Sequence, residues 1–156
     1  PIGAIIVLGD TQTNKPNNLL PYIGQVALGK LDKLKIFGND YETYDGTGIR
    51  DYLHIEDLAY GHVAALEMLE PECNIYNLGT GYGHSVLDIV KKFEEVTGVK
   101  IPYEFAPRRF GDCAIAVADV EKARNELGLR FTHYDLSYMI ATAWDFQKRF
   151  PNGYVP

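Results

Sequence analysis

Cysteine is scarce in this chain, which has only Cys73 and Cys113 among its 156 residues. The two are far apart, they form no C-x-x-C pair, and no pair of histidines lies next to either. These spacings argue against a disulfide framework and against a cysteine-based metal site. We therefore expect two reduced thiols in the protein core.

An excess of positive charge and long apolar runs are also absent. The formal net charge is −6 at pH 7, which argues against nucleic-acid partners and against a polybasic membrane patch. No segment is long and apolar enough to cross a bilayer. The apolar run over 2–8 lacks the charged residues and the starting methionine of a signal peptide, so it predicts a buried strand. We expect a cytoplasmic chain and, because it starts at Pro1, a piece of a longer protein.

The sequence also lacks the usual catalytic patterns. The four histidines (His54, His62, His84 and His133) show no metal-ligand spacing. No G-x-S-x-G nucleophile elbow occurs, and no tyrosine is followed by lysine four residues later. The sequence therefore predicts that this chain has no self-sufficient active site.

Short strands and amphipathic helices alternate along the chain, which predicts an α/β fold, or α+β for an isolated piece of this length. The strands are predicted over 2–8, 34–37, 51–55, 72–78 and 102–105. The helices are predicted over 19–28, 58–69 and 86–97, from a cap at Asp119 to Gly128, and from Leu136 until Pro151 stops the last one. The expected helix caps are Asn18, Asp57, the Ser85–Asp88 capping box and Asp119.

Two glycine-flanked loops carry arginines that neither helix nor sheet packing requires. One loop lies within residues 36–62, IFGNDYETYDGTGIRDYLHIEDLAYGH, and leads to Arg50; the other, APRRFGD, holds Arg108 and Arg109. A guanidinium suits phosphate or carboxylate, and although one arginine alone would indicate only a surface ion pair, two such loops favour an anionic ligand. Asp112 could accept hydrogen bonds from vicinal hydroxyls such as those of a ribose, cap a helix or pair with Arg109. These residues predict a small, phosphorylated, sugar-like ligand.

A glycine-rich run, GTGYG at residues 79–83, lies between a predicted strand and a predicted helix. Such a run can bind a phosphate. Its spacing, however, matches neither a dinucleotide fingerprint nor a Walker loop. A tight turn is the favoured interpretation.

Several longer motifs resemble the UDP-glucose 4-epimerase (UDP-galactose 4-epimerase) family of extended short-chain dehydrogenases/reductases, over its C-terminal part. They are PNNLLPYI, the run over residues 36–62, IYNLGTGYGHSVLDIV, FAPRRFGD, ADVEKARNELG and FPNGY, which together extend from Pro16 onward. The resemblance implies the substrate domain of such an enzyme with remnants of its nucleotide-binding sheet.

The resemblance also implies an activity. The family interconverts UDP-glucose and UDP-galactose with a tightly held NAD, which takes hydride from the sugar C4 and returns it to the other face of the 4-keto intermediate. Full-length members are typically homodimers. The family's GxxGxxG loop, catalytic Ser or Thr and Tyr-x-x-x-Lys pair are absent here, so the resemblance implies that residues 1–156 form a UDP-sugar-binding portion without the NAD-binding Rossmann domain. Residues 5–15 differ from the family pattern.

By the same resemblance, each site residue receives a role. Asn17, Asn18 and Leu19 would contact the UDP-sugar, and the backbone of Lys35, Ile36 and Phe37 would edge the uracil. Arg50 and Arg109 would hold the diphosphate, Asp112 would hold the uridine ribose, and Phe110 and Gly111 belong to the same loop. Ala116 would lie beside the sugar 2-substituent and leave room for N-acetylated UDP-sugars.

Two other hypotheses stay open at this point. The chain could be a non-catalytic module that binds UDP-sugars on its own. It could also be a truncated product without a function of its own. Binding of UDP would separate the first two hypotheses from the third.

Overall fold

Two small sheets and five helices form the described part of the chain in this computed structural model, which describes residues 16, 18–68 and 73–153. The strands are β1 (Leu34–Phe37), β2 (Ile49–Asp51), β3 (Gly83–Ser85), β4 (Tyr103–Ala106) and β5 (Ile115–Ala116). The helices are α1 (Leu19–Ala27), α2 (Ile55–Glu67), α3 (Val86–Thr97), α4 (Glu121–Glu126) and α5 (Leu136–Arg149). The expected α/β class is confirmed. The predicted strand over 2–8 and the predicted contact Asn17 lie outside the described residues.

The strand order brings distant loops to common edges. β1 pairs in parallel with β4, with Leu34 opposite Tyr103 and Phe37 opposite Ala106. In the second sheet β2 is central, antiparallel to β3 and parallel to β5. Because β1 and β4 are parallel, the loops that follow them leave the same edge of their sheet.

The larger core lies between α1, β1, α3 and α5. Ile23, Ile89, Phe93 and Ile140 are each at most 1% exposed. These positions fall on the apolar stripes predicted from the 3.6-residue period, so the assignment of the inward faces is confirmed. A smaller cluster under α4 contains Ala64, Ala123, Leu127 and Leu129.

The helix caps were predicted with mixed success. The capping box is confirmed: Ser85 accepts from the N–H of Asp88, and Asp88 accepts from the N–H of Ser85. Asn18 is the N-cap residue of α1, but its side chain makes no capping hydrogen bond. The N-cap of α4 is Val120 rather than Asp119, whose carboxylate accepts from the N–H of Glu121.

The predicted boundary between the second strand and its helix was wrong. β2 ends at Asp51 rather than continuing to residue 55, and α2 begins at Ile55 rather than 58. The reason is the cap, because the Nδ1 atom of His54 accepts the N–H of Glu56 at 3.2 Å. Asp57 lies within the first turn of α2 instead of capping it.

Two further predictions were wrong. Residues 73–78, the described part of the expected strand over 72–78, belong to no helix or strand. Ile75 in this segment is 77% exposed, and no strand among the described residues pairs with it. Cys73 and Cys113 are free thiols, as expected, but both are exposed rather than part of the core.

Candidate functional site

The glycine-rich loop after β1 is held by its own backbone and polar side chains. The N–H of Tyr41 donates to the carbonyl of Gly46 at 3.0 Å, and the hydroxyl of Thr43 donates to the carbonyl of Thr47 at 2.7 Å. Gly46 has φ of +79°, and a Cβ there would lie 2.3 Å from the carbonyl oxygen of Asn39. Only glycine fits this position, so the loop has a fixed path into β2.

A cleft of about 300 Å³ opens beside this loop. It is bounded by the start of α1, by β1, by β2 and by the loop that follows β4. Its lining residues are Asn18, Leu19, Tyr22, Leu34, Lys35, Ile36, Phe37, Tyr41, Gly48, Arg50, Tyr52, Val86, Arg109 and Asp112. The cleft therefore combines apolar and aromatic side chains with two guanidinium groups and one carboxylate.

Arg50 is oriented by two partners. Its Nη1 donates to the carbonyl of Ile49 at 2.8 Å, and its Nη2 lies 3.2 Å from Oδ1 of Asp112. The Arg50 and Asp112 side chains are 30% and 38% exposed, so their ion pair contributes little to stability. The pair is consequently easy to exchange for contacts with a ligand. The sequence had suggested Arg109 as one possible partner for Asp112; the ion pair is with Arg50.

Arg109 lies over the aromatic ring of Phe37, with its guanidinium carbon 3.9 Å from the ring centre. Within the described part of the chain it forms no ion pair. A guanidinium group that lies over an aromatic ring still points its N–H groups outward in its own plane, where they can bind an anion. Phe37 thus positions Arg109 at the mouth of the cleft.

Arg108 has a different role from its neighbour. Its Nε lies 2.8 Å from Oδ1 of Asp40, and its guanidinium carbon is 4.2 Å from the ring centre of Tyr41. The hydrogen bond from Arg108 lowers the pKa of Asp40. For Arg108, the interpretation as a surface ion pair therefore applies.

Tyr52 brings a phenol to the cleft. Burial raises the pKa of its hydroxyl well above the usual value, so the group stays protonated even in alkaline solution. It can therefore donate a hydrogen bond to a ligand oxygen.

Eight of the predicted site residues line this one cleft: Asn18, Leu19, Lys35, Ile36, Phe37, Arg50, Arg109 and Asp112. Phe110 and Gly111 are exposed outside the lining. Ala116 is also outside it, although β5 places it opposite Arg50 in the neighbouring strand. Whether these residues bind a UDP-sugar stays a prediction.

Sequence reasoning missed Tyr22, Leu34, Tyr41, Tyr52 and Val86, whereas Gly48 had been noted only as the glycine beside Arg50. Only Tyr41 and Tyr52 gave a signal, because they lie with Tyr44 and Tyr60 in the tyrosine-rich stretch over 36–62. Leu34 and Val86 had been assigned to a strand and to an inward helix face. Apolar residues of this kind can line a cleft without any mark in the sequence.

Tyr41 offers a stability test beside the cleft. It is 6% exposed, and its hydroxyl has no hydrogen-bond partner among the described residues. A buried, unpaired hydroxyl is costly, so Tyr41→Phe is expected to leave the free energy of unfolding unchanged or to raise it by up to about 1 kcal/mol. Denaturant unfolding measures this change.

The matched control is Tyr44→Phe. The hydroxyl of Tyr44 donates to Asp88 and accepts from the N–H of Ser85. Its removal is expected to cost about 0.5–1.5 kcal/mol. A comparable loss in Tyr41→Phe would show that the Tyr41 hydroxyl has a partner after all.

The GTGYG run is built around a protein carboxylate. Asp51 accepts from the N–H of Thr80 at 2.8 Å, from the Thr80 hydroxyl at 2.6 Å and from the N–H of Gly81 at 2.9 Å. A phosphate would have to displace Asp51 to reach these donors. The geometry therefore supports the tight turn over the phosphate loop.

A second cleft, of about 710 Å³, borders this turn at Thr80 and Tyr82. It is lined by Thr80, Tyr82, Arg124, Gly128, Leu129, Arg130, Phe131 and Tyr134. None of the residues predicted for the site lines it. One of its arginines, Arg124, is occupied by a 2.8 Å hydrogen bond to the carbonyl of Thr80. We therefore take the smaller cleft as the candidate site.

Known proteins match both the sequence and the fold. The model of the NAD dependent epimerase/dehydratase family matches residues 5–79. UDP-glucose 4-epimerase of Bacillus subtilis (strain 168) is 52% identical over 149 residues, which cover 94% of this chain and 44% of that protein. This chain is a relative of the UDP-glucose 4-epimerases. The resemblance inferred from the motifs is confirmed.

Solved structures agree with this relationship. UDP-glucose 4-epimerase from Bifidobacterium longum in complex with NAD+ and UDP superposes with a TM-score of 0.93 at 44% identity, covering 99% of this chain and 47% of that one. The UDP-Glc/GlcNAc 4-epimerase of Campylobacter jejuni superposes with a TM-score of 0.79 at 37% identity, covering 92% of this chain and 45% of that one. The chain thus spans less than half the length of these relatives.

No helix among the described residues is long and apolar enough to cross a membrane.

Proposed function

We propose that this chain is the UDP-sugar-binding portion of an NAD-dependent UDP-glucose/UDP-galactose 4-epimerase. The observation that carries the proposal is the convergence of Arg50, Arg109 and Asp112 on one cleft beside Phe37. Two guanidinium groups match the two negative phosphates of UDP. A carboxylate matches the vicinal hydroxyls of its ribose, and the β1 edge with Phe37 offers a surface for the flat uracil ring.

The contacts suggest how Arg50 and Asp112 exchange partners when UDP binds in the cleft. In the structure, Nη2 of Arg50 lies 3.2 Å from Oδ1 of Asp112. With UDP bound, Arg50 turns its donors to the diphosphate, and Asp112 accepts from the ribose hydroxyls instead. The Arg109 guanidinium closes on the second phosphate from its place above Phe37. The chain's own residues therefore bind and orient the nucleotide-sugar.

Chemistry at the sugar requires groups that this sequence does not carry. When bound to the whole enzyme, NAD would accept hydride from the sugar C4 and return it. We assign no catalytic residue and no NAD contact to this chain.

The assembled enzyme would be a homodimer. The apolar side chains of Tyr60, Val63 and Leu66 are exposed on one side of α2. This exposure supports the packing of a further protein surface against α2.

Calorimetric titration of the chain with UDP tests the proposal. We expect saturable binding with one UDP per chain, weaker binding of UMP because it lacks one phosphate, and little binding of uridine. Equal affinity for uridine and UDP would contradict a diphosphate site. Absence of any UDP binding would favour the truncated product without a function of its own.

The sugar specificity of the site is a separate prediction. Ala116 is exposed next to Arg50 on the neighbouring strand, and its small side chain leaves room for an N-acetyl group. In an enzyme assembled with this chain, Ala116→Tyr is expected to lower turnover of UDP-GlcNAc by roughly 10-fold or more, because the tyrosine ring would take the space of the N-acetyl group and a steric misfit in a binding pocket typically costs about 1–3 kcal/mol. Turnover of UDP-glucose is the control and should persist. Failure of the unsubstituted enzyme to act on UDP-GlcNAc would contradict the prediction.

A further inference from the structure

Three side chains with metal-ligating atoms meet where the start of α2 packs against the segment before α5. Nε2 of His133 lies 3.3 Å from Oε2 of Glu56, and Nδ1 of His54 lies 3.8 Å from the same oxygen. All three ligating atoms lie within 4.8 Å of one another. None of these residues lines the nucleotide cleft. Their spacing in the sequence gave no sign of the cluster, because His133 is distant along the chain.

The two separations that involve Glu56 are close to those of a tetrahedral zinc site. Nitrogen and oxygen ligands lie about 2.0–2.2 Å from zinc, so two ligands at the tetrahedral angle are roughly 3.3–3.5 Å apart. The Glu56–His133 separation already has this value, and the Glu56–His54 separation exceeds it by a few tenths of an ångström. The widest separation in the cluster, 4.8 Å, belongs to the two histidines, so their nitrogens must approach each other by more than about 1 Å when the metal binds.

The outer nitrogen of each histidine is anchored, which fixes the direction of the inner one. Nδ1 of His133 lies 3.0 Å from Oδ1 of Asp57, and Nε2 of His54 lies 3.2 Å from the hydroxyl of Thr142. Asp57 is itself held by the N–H of His133 at 2.9 Å. Metal-binding histidines typically have such a partner on the second nitrogen, because it sets the tautomer and the ring orientation.

Burial and stacking hold the histidines of the cluster in place. The side chain of His54 is 1% exposed. The ring of Tyr138 stacks on His133, with centroids 5.1 Å apart. Glu56 and His133 are 39% and 28% exposed, which leaves the cluster open to solvent on one side.

We propose that His54, Glu56 and His133 form a binding site for a divalent transition-metal cation, with Zn²⁺ as the best match and water as the remaining ligand. The two-nitrogen, one-carboxylate set suits zinc, whereas Mg²⁺ and Ca²⁺ prefer oxygen ligands alone. Binding requires the metal to replace the N–H of Glu56 at Nδ1 of His54, a 3.2 Å hydrogen bond. The cation would tie the start of α2 to the segment before α5, apart from the nucleotide cleft.

Metal titration of the intact chain tests this site. We expect one Zn²⁺ per chain by equilibrium dialysis, a rise in Tm that a chelator reverses, and visible absorption bands of low-coordinate Co²⁺ when cobalt is used. Mg²⁺ should not compete. Glu56→Gln and His133→Gln should each abolish the cobalt bands, and Asp57→Asn should weaken Zn²⁺ binding by about 10–100-fold.

His62→Gln is the matched control. His62 is exposed on α2, and its Nδ1 contacts the carbonyl of Leu58 rather than the cluster. This variant should bind Zn²⁺ as the unsubstituted chain does. Zn²⁺ binding that survives Glu56→Gln, a change at a partly exposed side chain that the core does not need, would overturn the proposal. Absence of stoichiometric binding to the unsubstituted chain would also overturn it, and neither result depends on whether UDP binds.

Discussion

Asp51→Ala is expected to lower the free energy of unfolding by about 2–4 kcal/mol. The variant loses several charge-assisted hydrogen bonds worth about 1.5–3 kcal/mol each. The loss is smaller than their sum because water can reach this partly exposed site and bind some of the freed donors. The carboxylate holds Thr80 and Gly81 at the turn between residue 78 and β3, and it also lies 3.4 Å from the N–H of Ala118. It therefore joins β2, the turn and the segment after β5. Denaturant unfolding monitored by circular dichroism measures the loss.

Two further variants separate this role from a general effect of charge. Asp119→Ala removes an exposed carboxylate with one hydrogen bond, to the N–H of Glu121, and should cost about 1 kcal/mol or less. Gly79→Ala leaves Asp51 in place, but its Cβ would lie 2.4 Å from Oδ2 of Asp51, so it should destabilise the same turn. Equal stability of Asp51→Ala and Asp119→Ala would contradict the role assigned to Asp51.

Arg50→Ala is expected to weaken UDP binding by about 1.5–3 kcal/mol, or roughly 10–150-fold, the range for a hydrogen bond to a charged group. Arg50 is the arginine that the fixed loop and β2 direct into the cleft. Its ion pair with Asp112 is partly exposed, so stability should change little. Calorimetric titration with UDP gives the affinity, and thermal unfolding checks that the variant is folded.

Arg108→Ala supplies the matched control for this measurement. Arg108 lies next to Arg109 in sequence, but it pairs with Asp40 and contacts Tyr41 instead of lining the cleft. UDP affinity should therefore stay close to that of the unsubstituted chain. If Arg108→Ala weakened UDP binding as much as Arg50→Ala, a general effect of positive charge would replace the proposed diphosphate site.

Local signals in the sequence predicted much of the fold. The Ser85–Asp88 capping box and the apolar stripes of α3 and α5 depend on residues three or four positions apart, and these features were predicted correctly. The boundary between β2 and α2 was missed because it depends on the ring of His54. The expected strand over 72–78 needs partners from elsewhere in a sheet, and none of the described strands provides one.

The candidate site could be predicted only in part. Chemistry marked Arg50, Arg109 and Asp112, because a glycine-flanked guanidinium in a loop is conspicuous in a sequence. Which of two adjacent arginines reaches the cleft depends on how the loop after β4 turns; residue chemistry alone did not choose between Arg108 and Arg109, and only the family resemblance favoured Arg109. The pairing of Asp112 with Arg50 depends on parallel pairing between strands far apart in the chain.

Backbone amide chemical shifts of the isotope-labelled chain during addition of UDP test the central claim most directly, because they report where the nucleotide binds. Binding of UDP in the cleft beside Phe37 predicts the largest changes at Lys35, Ile36 and Phe37, at Arg50, and in the loop from Arg109 to Asp112. It predicts little change at Thr80, Arg124 and Tyr134, which line the second cleft. Shifts centred on that second cleft, or no shifts at saturating UDP, would contradict it.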